Sequence, residues 1–211
     1  MHSDEPTIPE SVEEALLYAG FARGDQFEAL IHSSLRSADP RIRVLALRAG
    51  VRQTLLTNDE WRAGLHDEVS EVRREVVTLI AYYDAPDDAI YADIVEALTD
   101  VDPLVVDGAA FALGEKIYDP AVDLLCQVAR HHDDARCREA AVAALGALGN
   151  DRGRATVLAA LDDKPPIRRR AIVALANFEG ADIDAALERA SEDRDWQVRA
   201  AVNQLVREDE D

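Results

Sequence analysis

A chain of 211 residues with 48% hydrophobic side chains can bury a sizeable core in one or two ordinary domains, which excludes intrinsic disorder. Its 23 Lys and Arg stand against 42 Asp and Glu, and a formal charge of −19 argues against the whole molecule seeking nucleic acid or an anionic membrane. Aromatics make up only 5%, so the core must be built from Ala, Val, Leu and Ile, a mixture that leans towards helix.

The N-terminal MHSDEPTIPE has neither a basic start nor an apolar centre, so no signal peptide is expected. No apolar run approaches the ~20 residues of a membrane span, and a cytoplasmic location follows as the expectation. ESVEEALLYAG from Glu10 and QFEALIHSSL from Gln26 each read as a helix, and residues 1–36 are expected to form a helical cap.

From residue 37 onwards the chain repeats itself. An apolar anchor recurs at Ile42, Val72, Val105, Cys137, Ile167 and Val198, at separations of 30, 33, 32, 30 and 31 residues. Arginine follows the anchor in five copies, as Arg43, Arg73, Arg138, Arg168 and Arg199, and Val106 is the exception. Four residues after the anchors stand Ala46, Val76, Ala109, Ala141, Ala171 and Val202. Offsets 0, 4, 7 and 8 share one face of a 3.6-residue helix, so each copy contains an amphipathic second helix of about 14 residues.

Shorter periodic segments lie between the second helices and read as first helices: DDAIYADIVEAL from Asp87, PAVDLLCQVAR from Pro120, RGRATVLAAL from Arg152 and DIDAALERAS from Asp182. Asp39-Pro40 and Asp102-Pro103 set a capping acid before a proline at the first helical position, and Gly149 and Gly180 stand where second helices should end. Each copy is therefore a helical hairpin with short connections. Stacked hairpins bury one continuous core, and the fold class is expected to be all-α, an α-solenoid of about six repeats over 37–207 with an acidic tail at 208–211. Small residues three and four places after the anchors, such as Gly108, Ala140, Ala141 and Ala201, are expected to let adjacent second helices approach. Gly50 stands where leucine is expected, which makes the first repeat irregular.

The offsets, the period, the D-P-x-[VI]-R form of Asp39-Pro40-Arg41-Ile42-Arg43 and ALGALG at 144–149 resemble HEAT repeats, in particular the short phycobilisome-lyase-like subclass. The resemblance implies a right-handed superhelix whose second helices line the concave side. It also implies a ladder of Asp and Arg between successive repeats, in which Asp39, Asp102, Asp134 and Asp195, three residues before their anchors, partner the arginines after them. Val69 and Lys164 occupy that position in the second and fifth repeats, so the ladder should be interrupted there.

HEAT-like enzymes carry recognisable catalytic signatures. Deoxyhypusine hydroxylases hold iron through paired His-Glu dipeptides, and the chain contains none. HHDD at 131–134 is the one dense group of ligand types, and a turn that supplies a helix cap accounts for it, so no metal, cofactor or catalytic residue is assigned. HEAT-like alkylpurine glycosylases use a basic concave face with aromatics, whereas Trp61 falls on a first helix and Trp196 just before an anchor, both away from the expected stripe. Cys126 and Cys137 read as small buried hydrophobes that could face each other across a hairpin.

Offsets +2, +6 and +10 of the second helices point away from the first helices. That stripe supplies the candidate partner-binding residues Arg48, Arg52, Arg74, Thr78, Tyr82, Asp107, Phe111, Glu115, Glu139, Arg169, Val173 and Asn177. It begins at Val44, and Ala143, Ala147, Ala200, Gln204 and Glu208 complete it. The second helices carry a net +8 and the remainder −27, which suits an acidic partner protein. The expectation is a monomeric, non-enzymatic protein-binding scaffold or adaptor without membrane or nucleic-acid partners; the alternatives are an enzyme or enzyme accessory related to bilin-lyase-type HEAT proteins and a nucleic-acid-binding HEAT-like protein. Only Lys116 and Lys164 are lysines among the 23 basic residues. Abundant carboxylates with almost no lysine are the composition of cytoplasmic proteins from salt-loving archaea, which is the expected origin.

Overall fold

A computed structural model of the chain describes residues 11–22, 24–83, 87 and 89–208. These residues form thirteen α-helices and two short 3-10 turns, with no strand among them. They divide after Ile90 into two compact units.

The first unit contains α1 (Val12–Ala19), α2 (Asp25–Ser34), α3 (Pro40–Gln53), α4 (Asn58–Leu65) and α5 (Ser70–Tyr82). Ser11 opens α1 by accepting from the Glu14 N–H, and Thr57 with Glu60 forms a reciprocal capping box on α4. Leu16, Ala19 and Ile31 of the first two helices pack against Ala46 and Ala49 of α3. His32 Nδ1 on α2 lies 2.6 Å from Glu60 Oε1 on α4. Gly50 is explained by its neighbours: a Cβ there would stand 2.4 Å from Leu56 Cδ2, so the side chain of Leu56 occupies the space.

The second unit begins within α6 (Ala89–Ala97) and continues through α7 (Pro103–Glu115), α8 (Val122–His131), α9 (Ala135–Leu148), α10 (Asp151–Ala159), α11 (Pro165–Leu175), α12 (Ala181–Ser191) and α13 (Trp196–Glu208). The second helices α7, α9, α11 and α13 pack on one another in chain order, and α8, α10 and α12 back the helices that follow them. Each anchor here is fully or almost fully buried, as are Ala109, Ala141 and Ala171.

Two details depart from the sequence reading. Gly149 ends α9 in the left-handed conformation with φ 58°, as expected, but Gly180 is the N-cap of α12 with φ 133° rather than the terminator of α11, which closes on Ala176. A close approach between second helices is also found at glycines that the sequence reading did not name. Ala140 and Ala201 line surface grooves, whereas a Cβ on Gly146 would lie 2.6 Å from Ala174 Cα, and one on Gly114 3.0 Å from Ala144 Cα. Glycine to alanine in a helix interior is ordinarily worth up to about 1 kcal/mol of added stability. Gly146→Ala is expected to reverse that sign and destabilise by about 1–3 kcal/mol, because backbone must move to admit the methyl group. Thermal unfolding of the variant measures it, and a raised melting temperature contradicts the close approach.

An Arg–Asp ladder is present, with different aspartates from those expected. Arg43 donates bidentately to Asp67 at 2.7 and 2.6 Å, Arg138 to Asp163 at 2.8 and 2.9 Å, and Arg168 to Asp193 at 2.9 and 2.7 Å. In each case Nη1 also reaches back to a carbonyl: Ser37, His132 and Asp163 respectively. Asp39, Asp102, Asp134 and Asp195 instead cap their own helices, accepting from the N–H groups of Arg41, Leu104, Arg136 and Gln197. The true partner lies four or five residues before the next anchor, and in the turn it also accepts a backbone N–H, as Asp67 does from Val69 and Asp193 from Asp195. His132 holds that place before Cys137 and accepts from the Asp134 N–H through Nδ1. Its repeat is the one preceded by Val106, so arginine and aspartate are lost together.

The guanidiniums of Arg138 and Arg168 hold the carboxyls of Asp163 and Asp193 below their usual range. A carboxylate with a depressed folded-state pKa contributes fully above the unfolded value of about 3.9 and loses that contribution as pH falls through the folded one. Acid unfolding of residues 91–211 should therefore set in below about pH 4, with a shallower pH dependence in the Asp163→Asn/Asp193→Asn variant. Circular dichroism against pH checks this, and identical acid profiles contradict it.

Candidate functional site

The stripe predicted along the second helices is largely solvent-exposed, and within the second unit it lines two open grooves. Val44 is the correction: it is 7% exposed and belongs to the core, so in α3 the stripe begins at Arg48.

In the first unit two of the three stripe arginines are engaged. Arg48 donates twice to Glu75 at 2.7 Å, and the Arg52 guanidinium lies 4.8 Å from the centroid of the Phe21 ring. These two cations are used to tie α3 to α5 and to the chain after α1, which removes much of their capacity for a partner. Arg74 is exposed, Thr78 donates its hydroxyl to the Arg74 carbonyl, and Tyr82 is 70% exposed.

In the second unit, Asp107, Phe111 and Glu115 of α7 meet Glu139, Ala143 and Ala147 of α9 around a groove of about 540 Å³. Gly114, Ala140 and Ala144 form its small-residue floor, with Arg136 and Arg170 at its edge. Arg136 is held by Asp134 at 2.7 Å, and Arg170 Nε lies a loose 3.7 Å from Glu139. Burial pushes the Asp107 carboxyl above its ordinary value, Arg136 pulls it down, and Asp134 and Glu139 push it up again. A carboxylate perturbed by burial and by neighbouring charges in a groove is a candidate binding group.

A second groove of about 550 Å³ lies between α11 and α13. Arg169, Arg170, Val173 and Ala176 form one side, and Trp196, Gln197, Ala200, Ala201, Gln204 and Leu205 the other. Val173 is 53% exposed and Trp196 66%. Asn177 is exposed at the end of this row, outside the groove lining. The placement of Trp196 corrects the sequence reading. Offset −2 is the +2 stripe carried one turn back, and that periodicity could have found it. The equivalent residues are Pro40, Ser70, Pro103, Ala135 and Pro165, whose small or ring-closed side chains hide the pattern.

The remaining chemistry-bearing residues have structural employment. Cys126 and Cys137 are free and buried; their sulfurs face the carbonyls of Arg152 and Pro103, not each other. Burial raises the Cys137 thiol to about 11, which keeps it protonated and unreactive at neutral pH. His132 and Asp134 serve the turn before α9. No group of three or more metal-ligating side chains occurs among the described residues, and none of their helices is long and apolar enough to cross a membrane.

The family model for HEAT repeats matches residues 58–146 and 122–207. No curated protein matches the chain. Among solved structures, an engineered protein is similar over 98% of this chain and 66% of its own, at 16% identity and a TM-score of 0.61. The Escherichia coli protein YibA aligns over 92% of this chain and 73% of its own, at 14% identity and a TM-score of 0.60. A designed armadillo repeat protein in complex with the peptide (KR)4 aligns over 94% and 99%, at 15% identity and a TM-score of 0.56. At these identities the likeness is one of fold: an all-α solenoid of stacked helical hairpins.

Proposed function

Since the chain belongs to the HEAT-repeat family, we propose that it is a non-enzymatic scaffold or adaptor that binds another protein along its second helices. The observation that carries this reading is the pair of grooves in the second unit, where Phe111, Val173 and Trp196 keep 42%, 53% and 66% of their surface in solvent. What sets these three apart from other exposed apolar side chains, such as Phe21 and Val101, is that they line grooves, and apolar side chains gathered in a groove and rimmed by polar ones mark protein-binding surfaces. The similar designed armadillo protein was solved in complex with the peptide (KR)4, which supports a protein or peptide partner for a solenoid of this fold. The partner is acidic overall, drawn by arginines that the repeats leave on this face while the rest of the surface is strongly negative. Within the family, the D-P-x-[VI]-R form supports membership of the phycobilisome-lyase-like subclass.

The test is capture of the native partner by tagged protein, followed by affinity measurement. Phe111→Ala combined with Arg169→Glu should weaken binding by about tenfold or more, because central aromatic and arginine contacts dominate such interfaces, with the fold unchanged. Unaltered affinity would move the site to the first helices. The carboxylate-rich, lysine-poor composition supports a salt-rich cytoplasm as the setting in which the protein works. Stability should then rise with KCl as mutual repulsion is screened, and full stability at about 0.1 M salt contradicts that origin.

A further inference from the structure

The two grooves differ in charge. Between α7 and α9 three carboxylates, Asp107, Glu115 and Glu139, face Arg136, which is committed to Asp134, and Arg170, which stands between the two grooves and lines both. Between α11 and α13 the charged lining consists of Arg169 and Arg170 alone, in a chain with 42 carboxylates. These guanidiniums retain donors. Arg169 makes one long hydrogen bond of 3.4 Å, to Gln197, and Arg170 stands 3.7 Å from Glu139, whereas ladder arginines hold their aspartates at 2.6–2.9 Å. Beside them Trp196 and Val173 present apolar surface over a floor of Ala176, Ala200 and Ala201. Trp196 is the one large side chain at the first position of any second helix, and at 66% exposure it adds little to the core.

We propose that the α11–α13 groove is the anchoring subsite for an acidic segment of the partner. One large apolar side chain of that segment packs on Trp196 and Val173, and flanking carboxylates pair with Arg169 and Arg170. The proposal rests on the reading that second helices bind protein, and it adds the place and the chemistry. A basic segment meets two arginines with no counter-charge in the lining. Nucleic acid finds too few cations here to release the counterions that drive phosphate binding. An acidic segment without an apolar residue leaves the tryptophan uncovered, and the floor of small residues gives a bulky side chain room to lie flat. The α7–α9 groove repels such a segment, so the anchor has one location.

The experiment uses the full chain and a fluorescein-labelled octapeptide of Asp and Glu with a central Phe-Leu pair, followed by anisotropy and by the emission of Trp196. Trp61, the other tryptophan, is 3% exposed and serves as an internal reference. The expected result is saturable binding with a blue shift of Trp196. At least about tenfold weaker binding is expected for the Gly-Ser version of the peptide, for its Lys and Arg counterpart and for a charge-matched oligonucleotide, and the Arg169→Glu/Arg170→Glu and Trp196→Ala variants should each lose a similar factor. All of these substitutions are on exposed side chains, and unchanged melting curves confirm that the fold is intact. Equal binding by the charge-reversed variant, equal binding of the oligonucleotide, or a dimer that already covers Trp196 overturns the proposal. Peptide binding that is indifferent to Arg169 and Arg170 but sensitive to Phe111→Ala sinks this anchor and leaves the protein-binding reading standing. Capture of the native partner that is unaffected by any second-helix substitution sinks that reading itself.

Discussion

Ala171→Glu is expected to unfold residues 91–211. Ala171 is fully buried, on the face of α11 that carries the repeat core, between Ile167 and Ile172. A glutamate there brings a larger side chain and a carboxylate without a cation within the apolar layer, since the nearest helical arginines are committed or turned outward. An unpaired buried charge costs several kcal/mol, on the order of 3–5 or more, against a total stability of roughly 5–15 kcal/mol for an ordinary domain. Because each repeat contacts its neighbours, loss of α11 removes the surfaces that α9 and α13 pack against. A drop of about 10 °C or more in melting temperature is expected. Melting within a degree or two of the wild type contradicts the packing.

Arg168→Met is the second large effect. The Arg168 and Asp193 side chains are only 6% and 16% exposed, so removing the guanidinium strands the Asp193 carboxylate and takes a donor from the Asp163 carbonyl. Breaking such a pair typically costs about 3–5 kcal/mol. Replacing both partners should restore much of it: Arg168→Met/Asp193→Asn is expected to be more stable than Arg168→Met alone, because no buried charge is left uncompensated. The protein contains a natural precedent. In the third repeat Val106 replaces the arginine and is fully buried, and His132 replaces the following aspartate while keeping the hydrogen bond to the Asp134 N–H. A double-mutant cycle on thermal stability decides it; additive losses contradict a coupled pair.

Helix positions were legible from the sequence because the anchors repeat at near-constant separation and because caps such as Asp39-Pro40 and Asp102-Pro103 mark helix starts without reference to tertiary structure. The register of the ladder was not legible. Two aspartates, three and five residues before an anchor, both precede a helix, and only the direction in which the turn folds tells which faces the arginine of the preceding repeat. Close approach was likewise hidden, since Gly146 and Ala140 look equally small until the neighbouring backbone of Ala174 is placed. For the candidate site, periodicity identified which residues of α7, α9 and α11 share a face. It could not foresee that Val44 turns inward, that Arg48 is consumed by Glu75, or that Trp196 extends the face by one turn.

Position-resolved photocrosslinking tests the binding face most directly. Benzoylphenylalanine placed at Phe111 or Val173 on the second helices, and at the exposed Ala155 or Ala185 on the first helices, reports which side the partner occupies. Adducts of one protein species from Phe111 and Val173, with none from Ala155 and Ala185, are the predicted result. Adducts confined to the first-helix positions contradict the account.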